Sequence, residues 1–204
     1  MLIIGITGGT GSGKTTALEA LDELGALVLD CDAVYHELLD QNPEIKSEIE
    51  ARFGNVSTDG MIDRKKLGDI VFNDPSALTD LNKITHKYIS DEIDKRIKTR
   101  KEQGGKLAAV DAIALIESGQ NKNCDIVIGI IAPAEIRVER IINRDGITCE
   151  QAEARIAAQQ TDEFYREHCD YILVNNFNTP AEFIKKCKSY FTGLIGGNGN
   201  ANKR

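Results

Sequence analysis

The 204-residue sequence predicts an α/β protein built on a parallel sheet, and three observations carry that prediction. An apolar run, Leu2 to Ile6, passes at once into a glycine-rich loop and then into a helix pattern. A second apolar run, Ala26 to Leu29, follows that helix after a short link; strand, helix, strand with short links implies a right-handed crossover between parallel strands. Three later runs, Leu107 to Val110, Asp125 to Ile131 and Tyr171 to Val174, complete a set of five strands.

Taken in order, the first helix covers Lys14 to Leu24, with Ala17, Leu18, Leu21 and Leu24 at core spacing and Gly25 closing it. A helical insert is expected over residues 41–104. In it Pro43 opens a helix bearing Ile45, Ile49 and Phe53 and ended by Gly54. Asn73-Asp74-Pro75 opens another, with Ile89, Ile93 and Ile97 at i, i+4. A second helical insert is expected over 134–168, where Thr148 and Gln151 have capping-box spacing. The sheet core then comprises 1–40, 105–133 and 169–193. The last helix starts at Thr179-Pro180 and turns Phe183, Ile184, Cys187 and Phe191 inward. The glycine-rich polar tail, 194–204, reads as disordered.

Composition narrows the function classes. A net charge of −7 argues against general nucleic-acid binding. No apolar run approaches the length of a membrane-spanning helix. Residues 1–7 read as the first strand, so no signal peptide is expected. The five cysteines, Cys31, Cys124, Cys149, Cys169 and Cys187, are scattered and form no CxxC pair. They read as reduced thiols of a cytoplasmic protein.

The loop itself, Gly8-Gly9-Thr10-Gly11-Ser12-Gly13-Lys14-Thr15, is a P-loop, G-x-x-x-x-G-K-[ST], between a strand and a helix. Its glycines let bare backbone N–H groups close around the phosphates of a nucleoside triphosphate. Lys14 reaches the β/γ-phosphates, the Thr15 hydroxyl can ligate Mg²⁺, and the positive end of the helix starting near Lys14 points at the same anion.

Other residues could join this chemistry. Asp30 and Asp32 follow the second strand, where open parallel sheets place their ligand crevice. Either could take a proton from an attacking hydroxyl, or simply cap a helix over Ala33 to Leu39. Arg137, Arg140 and Arg144 recur on one helix face. They form either a phosphate-clamping row or a solvated face paired with Glu135 and Glu139. Glu117 ends the stretch that begins at Ala109 and could hold a Mg²⁺-bound water or the acceptor, with Asp111 as a competitor. His86 is a hydrogen-bonder or a ligand. Asn121-Lys122-Asn123-Cys124-Asp125 resembles a guanine-reading N-K-x-D, but its Asp is one residue late and it precedes a strand, so it reads as a turn.

Assembled, these motifs resemble the dephospho-coenzyme A kinase family from Ile4 to about Phe177. The family's P-loop, T-G-G-x-G-S-G-K-[ST]-T, matches Thr7 to Thr16, and its D-A-D matches Asp30-Cys31-Asp32. Its basic position four residues on is His36 here. F-G…D-G-x-[IL]-x-R-x-x-L matches Phe53-Gly54, Asp59-Gly60, Ile62, Arg64 and Leu67, and L-x-x-I-x-H matches Leu81, Ile84 and His86. The arginine patterns fall on Arg140-Ile141 with Arg144-Asp145 and on Arg155-Ile156 with Gln159; a last pattern falls on Asp170 and Asn175. The chain departs from the family at Lys87, in place of Pro, and at Ile113 to Glu117, which keeps Glu but loses Pro and Phe.

The resemblance implies a three-layer P-loop kinase fold, the 41–104 insert as a substrate lobe and 134–168 as a mobile lid. It implies transfer of the ATP γ-phosphoryl group to the ribose 3′-hydroxyl of dephospho-CoA, giving CoA and ADP; the alternative is a P-loop kinase for another nucleoside or small metabolite. ATP would sit on Gly8, Gly9, Gly11, Ser12, Gly13, Lys14, Thr15 and Thr16, with Arg144 and Asn175 beside it and Mg²⁺ on Thr15. Asp32 would be the base, with Lys14 and Arg140 as its catalytic companions. Asp32, His36, Arg64, His86 and Glu117 would bind the acceptor. A monomer or weak homo-oligomer, with neither nucleic acid nor membrane as partner, is expected.

Overall fold

The computed structural model describes residues 1–197 and divides into two compact units, Met1–Leu29 with 101 onward, and Asp30–Arg100.

The first unit is built on the expected sheet. Its strands are β1 (Leu2–Thr7), β2 (Leu27–Asp30), β5 (Leu107–Asp111), β6 (Ile126–Ile131) and β7 (Tyr171–Val174), in the order β2-β5-β1-β6-β7. β1 is central, running parallel to β5 (Ile4 opposite Ala109) and to β6 (Ile6 opposite Ile128), and β6 runs parallel to β7. Burial on both faces explains why these strands read as continuous apolar runs.

The period of two then sorts the side chains. Ile4, Ile6, Ala109, Ile128, Ile130 and Leu173 pack with Ala17 and Leu21 of α1 (Lys14–Glu23) and Phe183, Cys187 and Phe191 of α9 (Pro180–Ile195). On the other face, Gly5 and Gly129 leave room for larger neighbours. A Cβ on Gly5 would crowd Leu115 and Cys124; one on Gly129 would crowd Ile172, Cys169 and Tyr165 of α8 (Asp162–His168). The remaining helices of this unit are α6 (Ala134–Asp145) and α7 (Cys149–Ala157), the latter opened by the predicted Thr148/Gln151 capping box.

Two aspartates repeat one device. Asp125, just before β6, accepts the Ile3 N–H at 2.8 Å, and Asp170, just before β7, accepts the Val127 N–H at 2.8 Å. The near-match to N-K-x-D is thus the short 3₁₀ turn Gln120–Asn123, followed by a strand-tying aspartate.

The second unit is α2 (Cys31–Gln41), α3 (Pro43–Phe53), the hairpin β3 (Ser57–Thr58) and β4 (Met61–Ile62), α4 (Arg64–Val71) and the long α5 (Pro75–Glu102). Asp30, Asn42 and Asp63 cap α2, α3 and α4 in turn, each side chain accepting two backbone N–H groups. Ile45, Ile49, Leu67, Leu81 and Tyr88 form its core. Glu48 of α3 accepts the Tyr88 hydroxyl at 2.7 Å and pairs with Lys87.

The structure differs from expectation in three places. The helical unit starts at Asp30, so α2 belongs with it and not with the sheet core that was expected to run to residue 40. The hairpin was not foreseen, although Asp59-Gly60, both with positive φ, is a strong two-residue turn signal. Leu194 and Ile195, expected to be disordered, are the last turn of α9, because the apolar face of that helix continues through Phe191. The rest of the expected tail beyond 197 lies outside the described residues.

Candidate active site

The glycine-rich loop begins where β1 ends and finishes at the first turn of α1. Gly8, Gly11 and Gly13 all have positive φ, which L side chains rarely adopt. Each is also hemmed in: a Cβ on Gly8 would strike the Ile130 carbonyl, one on Gly11 the Arg137 backbone, and one on Gly13 the Asn175 amide. Within the loop, Ser12 N–H donates to Gly9 O at 3.2 Å and Ala17 N–H to Gly13 O at 3.1 Å. The N–H groups of Gly11, Gly13 and the first turn of α1 have no protein acceptor among the described residues. Lys14 and the exposed Thr15 stand at the start of that helix.

These residues fit a triphosphate. The unpaired loop amides are donors in want of an anion, and the Ser12 hydroxyl is buried with no hydrogen-bond partner among the described residues. Among the described residues no cluster of three His, Cys, Asp or Glu side chains could hold a metal alone. A Mg²⁺ ion here would therefore be held by Thr15 and the phosphates themselves, the usual habit of that ion.

The arginine row meets the loop instead of solvent. Arg137, only 5% exposed, donates from Nε to Thr10 O at 2.9 Å and from Nη2 to Gln159 Oε1 at 3.1 Å. Arg140 donates to Gly11 O at 3.1 Å, to Asn175 Oδ1 at 3.2 Å and to Phe177 O at 2.8 Å. Burial pushes its guanidinium below the ordinary arginine value. Asn175, itself buried, donates to Ser12 O at 2.8 Å. Arg144 is exposed at the far end of the row, 3.4 Å from Thr10 Oγ1, and held by Asp145, which also accepts from Arg155 at 2.5 Å. The bond to Asp145 raises the Arg144 pKa, so the cation is kept.

Neither Glu135 nor Glu139 makes a salt bridge to this row among the described residues, so the solvated-face alternative does not describe it. The sequence spacing found the row. It missed that Arg137, Arg140 and Asn175 brace the back of the loop through its carbonyls, and that Gln159 joins them.

In the second unit, Asp30 and Asp32 separate cleanly. Asp30 Oδ1 accepts the N–H groups of Asp32 and Ala33 and is the cap of α2. Asp32 sits in the first turn, exposed, and its carboxylate has no hydrogen-bond or ion-pair partner among the described residues. His36 is one turn on and equally exposed, and Asp40 one turn further accepts Arg64 at 3.1–3.2 Å. Asp32, His36 and Asp40 thus follow one another at successive turns of α2, and Arg64, the first residue of α4, joins them through Asp40. His86, half-buried on α5, has no hydrogen bond to that stripe among the described residues; burial pushes its imidazole below the ordinary value of 6.5.

Glu117 needs a correction. It does not end a strand: β5 stops at Asp111, and Glu117 lies exposed in the run of turns 113–119, tied back by the Thr7 hydroxyl to Ile113 O at 3.1 Å.

A phosphate cradle at the carboxyl end of a central parallel strand, braced by a helix-borne arginine row, defines a P-loop kinase. Solved structures agree on that fold: shikimate kinase from Acinetobacter baumannii superposes with a TM-score of 0.55 at 20% identity, covering 98% of this chain and 96% of its own. The chain belongs to the dephospho-CoA kinase family, whose sequence profile matches residues 2–181. A relative so described from Dehalococcoides mccartyi is 42% identical over 92% of this chain and 94% of its own. The structure of dephospho-CoA kinase from Campylobacter jejuni has a TM-score of 0.72 at 31% identity, covering 96% and 98%. The protein is accordingly an ATP-dependent kinase.

Proposed function

We propose that the chain transfers the ATP γ-phosphoryl group to the 3′-hydroxyl of dephospho-CoA, with CoA and ADP as products. The observation that carries this reading is the family match across almost the whole chain, joined to a P-loop whose donors are built and unpaired. Another nucleoside or metabolite acceptor is the second reading; it is less favoured by relatives this similar, although Lys87 and Ile113 to Glu117 depart from the family pattern.

In this reading the Lys14 side chain and the amides of Gly11, Gly13, Lys14, Thr15 and Thr16 bind the β- and γ-phosphates, with the Ser12 hydroxyl beside them and Gly8 and Gly9 turning the loop. A Mg²⁺ ion on Thr15 would neutralise charge on the transferring group. Asp32, exposed and unpartnered, takes the acceptor's proton. His36, Arg64, His86 and Glu117 bind the rest of the acceptor. Arg140 acts by holding the loop that carries the phosphates, and Arg144, the exposed member of the row, supplies charge to them, while Asn175 secures Ser12. The segment 134–168 serves as the lid that keeps water from the phosphoryl group. The protein works in the cytoplasm.

The hydroxyl assignment is checked with deoxy acceptors. The 2′-deoxy analogue of dephospho-CoA should turn over and the 3′-deoxy analogue should not. Turnover of the 3′-deoxy analogue would remove the 3′-hydroxyl from the reaction.

A further inference from the structure

We propose that Gln159 is a positioning residue for ATP, holding the P-loop in its binding shape through a single oxygen; the inference rests on the reading of ATP at the P-loop. Thr10 is gripped at both its backbone polar groups. Its N–H donates to Gln159 Oε1 at 2.7 Å, and its carbonyl accepts Arg137 Nε at 2.9 Å. Arg137 Nη2 closes the ring by donating to the same Oε1 at 3.1 Å. Both partners of the Gln159 side chain are N–H donors, so the atom facing them is the oxygen.

Gly9 makes the grip possible. A Cβ there would collide with Arg137 Nη2 and stand 3.0 Å from Gln159 Oε1. The second glycine of the motif therefore serves protein side chains behind the loop as well as phosphate in front of it. Gln159 follows α7, whereas Arg137 belongs to α6, so two separate elements meet on one loop residue.

The two N–H groups used within the protein, those of Thr10 and Ser12, are the ones that shape the loop. Those of Gly11, Gly13 and the helix start remain for the anion. A loop already held in shape binds phosphate without first being ordered. Losing the grip should therefore weaken ATP binding and leave the chemical step nearly intact, because the interaction is the same in ground and transition states.

The test uses the full chain. Gln159→Leu should raise the KM and Kd for Mg-ATP by about tenfold, the scale of two lost hydrogen bonds. Its kcat should stay within about threefold and its KM for dephospho-CoA should not move. Gln159→Asn, too short to reach, should behave like Gln159→Leu. Gln159→Glu keeps an oxygen for both donors and should stay within about twofold of the parent. The adjacent, exposed Gln160→Leu should change nothing. Hydrogen exchange of the ligand-free protein should quicken across residues 8–13 in the Leu and Asn variants while β1 and β6 keep their protection, which also reports that the variants fold. An unchanged KM for ATP in folded Gln159→Leu and Gln159→Asn, or a Gln159→Glu as impaired as they are, would overturn the inference. If the parent protein itself fails to bind Mg-ATP, the reading of the P-loop fails instead.

Discussion

Asp30 and Asp32 are two positions apart and stand in different surroundings. The first spends its carboxylate on two backbone N–H groups; the second has none to satisfy. Asp30→Ala should cost about 1 kcal/mol of stability, as a lost N-cap does, readable in a denaturant titration. Asp32→Asn should leave stability and ATP binding near normal and lower kcat by roughly 10²–10⁴, the contribution of a general base. Full activity in Asp32→Asn would remove it as the base. Spacing alone left the roles of the two aspartates open, because a cap and a base call for the same residue type at the same spot. The family resemblance assigned the base to Asp32, and the hydrogen bonds now identify Asp30 as the cap. The cysteines follow the same logic. All five are free thiols, and burial pushes Cys124, Cys169 and Cys187 up to about 12. Cys149 alone is exposed; slight desolvation and then the Glu153 carboxylate raise its value as well. Titrating the native protein with a thiol reagent should label Cys149 first and slowly; fast labelling of Cys124, Cys169 or Cys187 would contradict their burial.

Helices and strands with an end signal and a clean period were readable from the sequence. α3 runs from Pro43 to the residue before Gly54, α7 starts behind its Thr148/Gln151 capping box and α9 starts at Thr179-Pro180, as predicted; the capping box that Thr179 makes with Glu182 is an addition of the structure. What escaped were features set by partners distant in the chain. The bracing of residues 10–12 by Arg137, Arg140, Gln159 and Asn175 spans more than a hundred positions. Arg137 and Arg140 tie α6 to the loop, and Gln159 ties the chain to it again after α7. α5 offers a separate test. It runs unbroken through Lys87, where relatives with His-Pro would place proline, and Lys87 pairs with Glu48 and lies over the Tyr88 ring. Lys87→Pro should destabilise the protein by about 3 kcal/mol, since proline removes a helix hydrogen bond and crowds the preceding turn. An unchanged unfolding midpoint would show that α5 tolerates a kink there.

For the molecule as a whole, stability should respond to acid in two separate windows. The folded protein binds a proton at His86 less readily than the unfolded chain does. As pH falls through 6.5 the unfolded chain is protonated first, so stability drops, and His86→Gln should flatten that limb of the curve. Glu48, Asp63, Asp80 and Asp145 behave oppositely in origin: hydrogen bonds hold their values below the ordinary carboxylate range. Their contribution is complete above that range and is lost as pH falls below it, a second decline that His86→Gln should not touch. The parallel sheet and the nucleotide loop were visible in the sequence because both rest on local patterns, an apolar run and a glycine spacing. The residues proposed for the acceptor, such as His36 and Arg64, are single exposed positions whose local patterns say little, and acceptor choice is decided by experiment. The direct measurement is ADP release by the purified protein with Mg-ATP, comparing dephospho-CoA with AMP, adenosine and no acceptor. ADP release that depends on dephospho-CoA, with CoA accumulating in equal amount, is the predicted result. Turnover on another acceptor with no stimulation by dephospho-CoA would contradict the proposed function and leave only a P-loop kinase of different specificity.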